Sequence, residues 1–211
     1  MYLPEHFAEL RVDVLQAAME HAGLATLVTN GADGLDASHV PLLVEPGPGP
    51  CGRLVGHLAR ANPQWRATSE GSPALAIVLG PDAYVTPSWY PSKRESGRVV
   101  PTWNYVTIHA HGTVRFFQDR DRLLTVVDRL TDRHERSRAH PWKVADAPPD
   151  YVEAMLSGIV GVELAITRLE GKWKASQNRS EADRRGVEEG LRLQGDEEMA
   201  ELVRGPSGSP G

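Results

Sequence analysis

A mostly antiparallel β-sheet, closed or nearly closed into a barrel and flanked by helices, is the fold class this sequence predicts. Three features carry that expectation. Short apolar runs early in the chain are separated by tight-turn chemistry, Asn104 to Phe117 alternates between apolar and polar residues, and a second long alternating run stands near the end. Few helical segments lie between them, and closure is the economical outcome because it removes exposed sheet edges.

Pro4 to Ala22 reads as a helix, with Phe7, Leu10, Val14, Leu15 and Ala18 near helical spacing and Gly23 closing it. Leu24 to Thr29 is a strand, Asn30 to Gly34 supplies the hairpin, and Ala37 to Val44 is the returning strand. The Pro- and Gly-rich stretch Glu45 to Gly52 cannot hold a ladder and is an exposed connection. Arg53 to Leu58 is a third strand, and Asn62-Pro63 opens a short turn or helix carrying Trp65. Ala74 to Leu79 and Ala83 to Thr86 are strands on either side of a Gly80-Pro81-Asp82 turn.

In the long central strand Ile108, Ala110, Gly112, Val114 and Phe116 share the face expected to be buried. Asp119 or Asp121 caps a helix that ends before His140-Pro141, with Leu123, Val127, Leu130 and His134 on one side. Tyr151 to Leu156 is helical and Ile159 to Leu169 is the last core strand. Glu181 to Leu193 has the composition of a charged helix, weakened by Gly186 and Gly190. These readings divide the chain into a barrel domain over 1–178, a charged helical segment over 179–204 and a disordered tail over 205–211.

A length of 211 residues suits one domain with an appendage, and 40% apolar and 24% charged residues are ordinary for a soluble globular protein. No window is apolar enough for a membrane span, and the N-terminus lacks the basic start and apolar core of a secretory signal. Cys51 is the single cysteine, so no internal disulfide forms, in keeping with a cytoplasmic location. The net charge of −5 argues against a broad nucleic-acid surface. The nearest basic stretches, Arg115 to Lys143 and Lys172 to Arg185, are modest.

Ser88 to Tyr105 concentrates Trp89, Tyr90, Trp103 and Tyr105 with hydroxyls, an amide and Lys93. Rigid aromatic faces beside a few placed donors suit a flat, phosphorylated ligand. Two strand ends packing together would use the same aromatics, and both readings stand. His57-Leu58-Ala59-Arg60-Ala61-Asn62-Pro63 leaves a strand and enters a turn, a corner where an arginine fork and free backbone donors could hold a phosphate. The ordinary alternative is a surface turn with a solvated arginine. Lys172 to Asn178 puts cations, an indole and amides after the last core strand, as a site rim or a basic turn. His109 and His111 face the same side of a strand, but no third ligand at recognisable spacing makes them a metal site.

Several of these segments occur in the order of a known family. The opening Met-Tyr-Leu-Pro-Glu-His-Phe, His57 to Pro63, the Ser88 to Tyr105 window, His140-Pro141-Trp142, Tyr151 with Met155-Leu156, Ile159-Val160-Gly161, and Glu170 to Lys174 with Ser176-Gln177-Asn178 and Asp183-Arg184 together resemble the FMN-binding negative transcriptional regulator family, the PaiB-like proteins. The resemblance implies an antiparallel split β-barrel of the FMN-binding, pyridoxamine phosphate oxidase-like type, a homodimer with flavin at the subunit interface, and repression of transcription. It makes Arg60 and Lys93 candidates for the FMN phosphate, with His57, Asn62, Ser88 and Thr102 as neighbouring donors. It places Trp89, Tyr90, Trp103 and Asn104 along the isoalloxazine or ribityl chain, with Lys174 and Gln177 completing the site from the partner subunit. DNA as a partner rests on the resemblance alone, since no helix-turn-helix is defensible. Two other functions fit such a cleft: an FMN-dependent oxidoreductase, and a haem-binding protein using His57, His109 or His111.

Overall fold

The computed structural model of the protein describes residues 1–32 and 34–205. In chain order it contains β1 (Ala8–Glu9), α1 (Val12–His21), β2 (Ala25–Gly31), β3 (Gly34–Val40), β4 (Leu42–Glu45), β5 (Arg53–Ala59), α2 (Gln64–Ala67) and β6 (Pro73–Val85). There follow α3 (Ser92–Ser96), β7 (Thr102–Phe117), α4 (Arg120–Glu135), α5 (Pro149–Ser157), β8 (Ile159–Lys174), α6 (Glu181–Leu193) and α7 (Glu197–Arg204). The strands form one sheet in the order β3-β2-β6-β7-β8-β5-β4, with β1 added to β8. The pairings β1–β8, β2–β3, β2–β6, β4–β5 and β5–β8 are antiparallel. The two ends of this path, β3 and β4, follow one another in sequence with only Pro41 between them. Proline has no N–H to give a ladder, so the strand breaks there and the sheet is split. The mainly antiparallel, helix-flanked architecture is therefore the one predicted.

Four local expectations are corrected. Pro4 to Leu10 is not helical: Glu5–Phe7 is a 3-10 turn that buries Phe7, and Ala8 and Glu9 pair with Lys172 and Gly171 of β8. The helix begins only at Val12, so the spacing of Phe7 and Leu10 was coincidental, and Leu10 is exposed. The expected strand over 37–44 is two strands, β3 and β4, broken at Pro41. Gly80-Pro81-Asp82 does not turn, because β6 runs straight through it. β2 pairs only with Ala74–Val78 of β6, so Pro81 lies beyond that ladder, where its missing N–H is not needed on that side. Gly80 serves close approach, since a Cβ there would stand 2.9 Å from Val106 Cβ. On α4 the buried stripe is Leu123, Val126 and Leu130, with His134 exposed. The predicted hairpin includes Asp33, which lies outside the described residues, as does most of the predicted tail.

The chain divides into two compact units: Arg11–Val78 with His109–Leu169, and Met1–Leu10 with Leu79–Ile108 and the chain from Glu170 onward. In the first, Leu43 of β4 and Val55 of β5 pack with Val126 and Leu130 of α4 and with Phe117. Ion pairs fasten the same helix. Glu45 accepts from Arg53 at 2.9 Å and from Arg129, while Glu163 accepts from Arg53 at 3.4 Å and from Arg122. The two carboxylates are mostly covered, at 12% and 16% side-chain exposure, so this network is better shielded than a surface pair. In the second unit, Ala83, Val85, Tyr90 and Ala175 form a core with Val187 and Leu191 of α6 and with Met199, Ala200 and Val203 of α7.

Removing Glu163 leaves Arg53 and Arg122 sharing one carboxylate fewer. Glu163→Ala is expected to lower unfolding stability by about 1 to 2 kcal/mol, between the values for surface and fully buried pairs, in a urea titration. An unchanged midpoint would show that the network contributes nothing.

Candidate cofactor site

Of the candidate residues, His57, Arg60 and Asn62 belong to the first unit and the remainder to the second. Each group has its own geometry.

The corner after β5 is a knot of hydrogen bonds. Arg60 donates from Nε to the Ser157 carbonyl at 2.6 Å, from Nη1 to Gln118 Oε1 at 2.5 Å and from Nη2 to the Ile159 carbonyl at 3.1 Å. Its guanidinium therefore ties the end of β5 to the start of β8, with three of its five N–H donors committed. Asn62 donates to Ser38 Oγ at 2.8 Å and accepts from the Gln64 amide at 2.9 Å. That last contact is an Asx turn that launches α2. Gln64 is fully buried and donates to the Leu27 and Asp36 carbonyls and to Thr29 Oγ1, while Trp65 Nε1 reaches the Arg60 carbonyl at 3.0 Å. Gln64, which the sequence did not single out, and Trp65 thus hold the corner together.

His57 lines a pocket of about 280 Å3 with Leu130, His134 and Trp142. Among the described residues its enclosed Nδ1 has no hydrogen-bond partner, and burial pushes the imidazole below its ordinary value of 6.5. His109 and His111 share a strand face, their rings 6.1 Å apart.

In the second unit the Ser88 to Tyr105 window sorts into two layers. The inner layer is structural. Tyr90 is only 2% exposed and sits in the core with α6 and α7, with the Arg179 guanidinium 4.8 Å from its ring centre. Trp89 closes the 3-10 turn Pro87–Trp89 and lies against α6. A Cβ on Gly190 would stand 2.3 Å from its indole, and one on Gly186 only 2.0 Å from its carbonyl oxygen. The two glycines that weaken α6 as an isolated helix are therefore what lets the indole dock. Asn104 is fully buried and donates to Ser176 Oγ at 3.0 Å. Ser176 itself has φ of 63°, a left-handed backbone rare for a non-glycine residue, and this amide contact helps to hold it there.

The outer layer carries open chemistry. Trp103 is 54% exposed and meets the Tyr84 ring edge-on at 5.9 Å. Lys93 of α3 donates to Ser88 Oγ at 3.5 Å. Lys174 donates to Thr102 Oγ1 and, at 2.5 Å, to the Trp103 carbonyl, so it meets Thr102 and Trp103 of its own chain. Lys172 Nζ lies 5.2 Å and Lys174 Nζ 6.0 Å from the Tyr105 ring centre. Burial, then the positive charges of Lys172 and Arg179, hold the Lys174 ammonium below its ordinary value. Gln177 accepts from the Ala175 amide at 2.8 Å, donates to the Trp173 carbonyl at 2.5 Å, and borders a cleft of about 650 Å3 with His6, Phe7 and Trp173.

The segment that carries Ser88 and Lys93 is fixed from behind. Asp183 of α6, 5% exposed, accepts from the Ser92 amide at 3.1 Å and from Ser92 Oγ at 2.8 Å. Arg184 donates to the Val203 carbonyl at 2.7 Å, joining α6 to the end of α7. Asp183, Tyr84 and Arg179 escaped sequence reasoning as site neighbours. Their signal, a carboxylate and a cation within the basic stretch and an aromatic on a strand, is too common to single out.

An open antiparallel sheet with flanking helices is the architecture of a split barrel. The chain belongs to the family described as "Putative FMN-binding domain", which matches residues 1–168. It is 31% identical over 208 residues, 96% of each chain, to the protease synthase and sporulation protein PAI 2 of Bacillus subtilis. It is 34% identical over 226 residues, 90% of each chain, to an uncharacterised protein of Emericella nidulans. Among solved structures, the FAD and heme binding protein of Mycobacterium smegmatis superposes with a TM-score of 0.58 at 21% identity, covering 79% of this chain and 73% of that one. The PaiB-like kinship, the split-barrel fold and FMN as the family's cofactor are thus those expected from the sequence. The family match stops before α6 and α7, the helices that brace Trp89 and Ser92.

Gly190→Ala forces a methyl into the Trp89 indole. It is expected to cost about 1 to 3 kcal/mol, the usual range for overpacking, and to shift tryptophan emission to the red as Trp89 leaves its seat. Unchanged emission and an unchanged denaturation midpoint would contradict the packing described.

The His57 shift fixes a sign for pH. With the folded value depressed, the unfolded chain binds more protons as the pH falls below 6.5, so stability is full above that value and declines beneath it. His57→Gln is expected to flatten the stability profile between pH 5 and 7, read by urea denaturation at a series of pH values around that of ordinary histidine, about 6.5. Parallel profiles for the two proteins would refute the assignment.

Proposed function

We propose that the chain binds FMN through the outer layer of its second unit and works as a PaiB-type regulator, as a homodimer in the cytoplasm. The observation that carries this reading is an exposed indole, Trp103, beside the lysine–hydroxyl pair of Lys174 with Thr102, with a second such pair, Lys93 with Ser88, in the same unit. The donor set fits the cofactor: a phosphate asks for cations and hydroxyl donors, and an isoalloxazine asks for a flat apolar face. Lys174 is crowded by Lys172 and Arg179, so a bound anion relieves like-charge repulsion there. When bound, FMN supplies electron-transfer chemistry at its ring system.

The residues of this chain then divide the work. Lys93 and Lys174 neutralise negative charge, Ser88 and Thr102 orient it, and Trp103 with Tyr84 covers one ring face. Trp89, Tyr90 and Asn104 support these groups from within the core. Arg60, Asn62 and His57 belong to the first unit, at the corner after β5, where the three bonds of Arg60 are structural, and they stand outside this reading. The regulatory role rests on the resemblance to the PaiB-like regulators, and the Bacillus subtilis relative is named for protease synthesis and sporulation. A net charge of −5 means that any grip on DNA depends on a local surface and is steeply salt-dependent.

FMN titration followed by flavin fluorescence tests the cofactor. Lys93→Ala and Lys174→Ala are each expected to weaken binding by about 1.5 to 3 kcal/mol, as for a charged hydrogen bond. Wild-type protein that leaves FMN fluorescence unchanged would end the proposal. Retention of a promoter fragment at low salt, lost steeply as salt rises, tests regulation, and light scattering tests the dimer. A monomer, or no retained fragment at any salt concentration, would remove the corresponding part.

A further inference from the structure

A second group of cations lies in the first unit, where α4 passes β4, and takes no part in the site described above. Arg129 and Arg133 of α4, Arg136 just after its end, and Lys143 line a pocket of about 560 Å3, with Leu43 and Val44 of β4 as its apolar side. Two carboxylates, Glu20 and Asp132, also border it. The charge of Arg129 is taken up by Glu45. Arg133 is different. Its guanidinium donates to the Leu42 carbonyl at 2.8 Å and to the Ala22 carbonyl at 2.5 Å, which fix its plane without neutralising it. Burial, and then the positive charge of Arg136, hold it below the ordinary arginine value, with Glu20 acting in the opposite sense. Among the described residues, the Arg136 side chain has no hydrogen bond or ion pair.

A half-buried guanidinium held by two carbonyls, with a second one three residues on at the helix C-cap, is a repulsive arrangement until an anion enters. Arginine forks match the oxygens of phosphate and carboxylate groups. The pocket is larger than a bare ion requires, and its apolar side suits the carbon skeleton of the same ligand. We propose that this pocket is a separate binding site for a small organic oxyanion, a phosphate ester or a polycarboxylate, gripped by Arg133, Arg136 and Lys143.

Arg133→Ala would also strip two backbone carbonyls of their donor, so the test uses Arg136→Ala combined with Lys143→Ala. Full-length protein saturated with FMN is titrated calorimetrically with inorganic pyrophosphate and, separately, with citrate, at constant ionic strength. At least one probe is expected to bind saturably to the wild type. The double variant is expected to bind it about tenfold more weakly or worse, while its FMN titration stays unchanged, as loss of charge-assisted contacts at a separate site requires. Saturation by pyrophosphate alone identifies a phosphate site, and saturation by citrate alone a carboxylate site. Failure of both probes to saturate, equal binding by the double variant, or a parallel loss of FMN affinity would each overturn the proposal.

Discussion

The seat of Trp89 on α6 is the contact on which the placement of Ser88 and Lys93 depends. An indole can approach the helix backbone so closely only where no Cβ intervenes, and α6 offers glycine at 186 and at 190. Once docked, Trp89 fixes the turn that ends at it, and Asp183 one turn earlier on the same helix accepts both donors of Ser92. Ser88 and Lys93 flank these anchors in sequence, so their positions follow from two contacts that touch no ligand. Helix propensity is given up at two positions in exchange for placement of a loop.

Electrostatics in the two units follows different rules. In the unit containing β4, β5 and α4, arginines are mostly consumed by structure: Arg53, Arg122 and Arg129 by shielded carboxylates, and Arg60 and Arg133 wholly or largely by backbone carbonyls. A carbonyl partner satisfies the geometry of a guanidinium but leaves its charge in place. In the other unit Lys172, Lys174 and Arg179 gather around the rings of Tyr105 and Tyr90. Aromatic faces stabilise cations without cancelling them, which leaves this surface attractive to an anion.

The alternation in β7 was legible because one face of it is buried, and the Asp119 cap of α4 and the full extent of α6 were legible for equally local reasons. Gly80-Pro81-Asp82 and Pro4–Leu10 misled because turn chemistry and helical spacing are necessary signals rather than sufficient ones. A proline is harmless in a strand where no neighbour asks for its N–H, and Phe7 found its burial in a 3-10 turn. In the candidate site, the residue types were readable and their layering was not. Trp89, Tyr90 and Asn104 differ from Trp103 and Lys174 only in which side of the chain meets the core.

By itself the sequence determined the strand periods, the helix caps, the breaks at glycine and proline, and the ordered motifs that mark the PaiB-like, FMN-binding family, because all of these are properties of neighbours along the chain. Tertiary structure alone decided that Arg60 acts as a clamp between β5 and β8, that Gly186 and Gly190 form a seat for an indole, and that Lys174 stands beside Lys172 and Arg179 with its charge still available. The physical reason is range. Hydrogen bonds, excluded volume and desolvation depend on which distant residues arrive within a few ångströms, and no local pattern encodes that arrival.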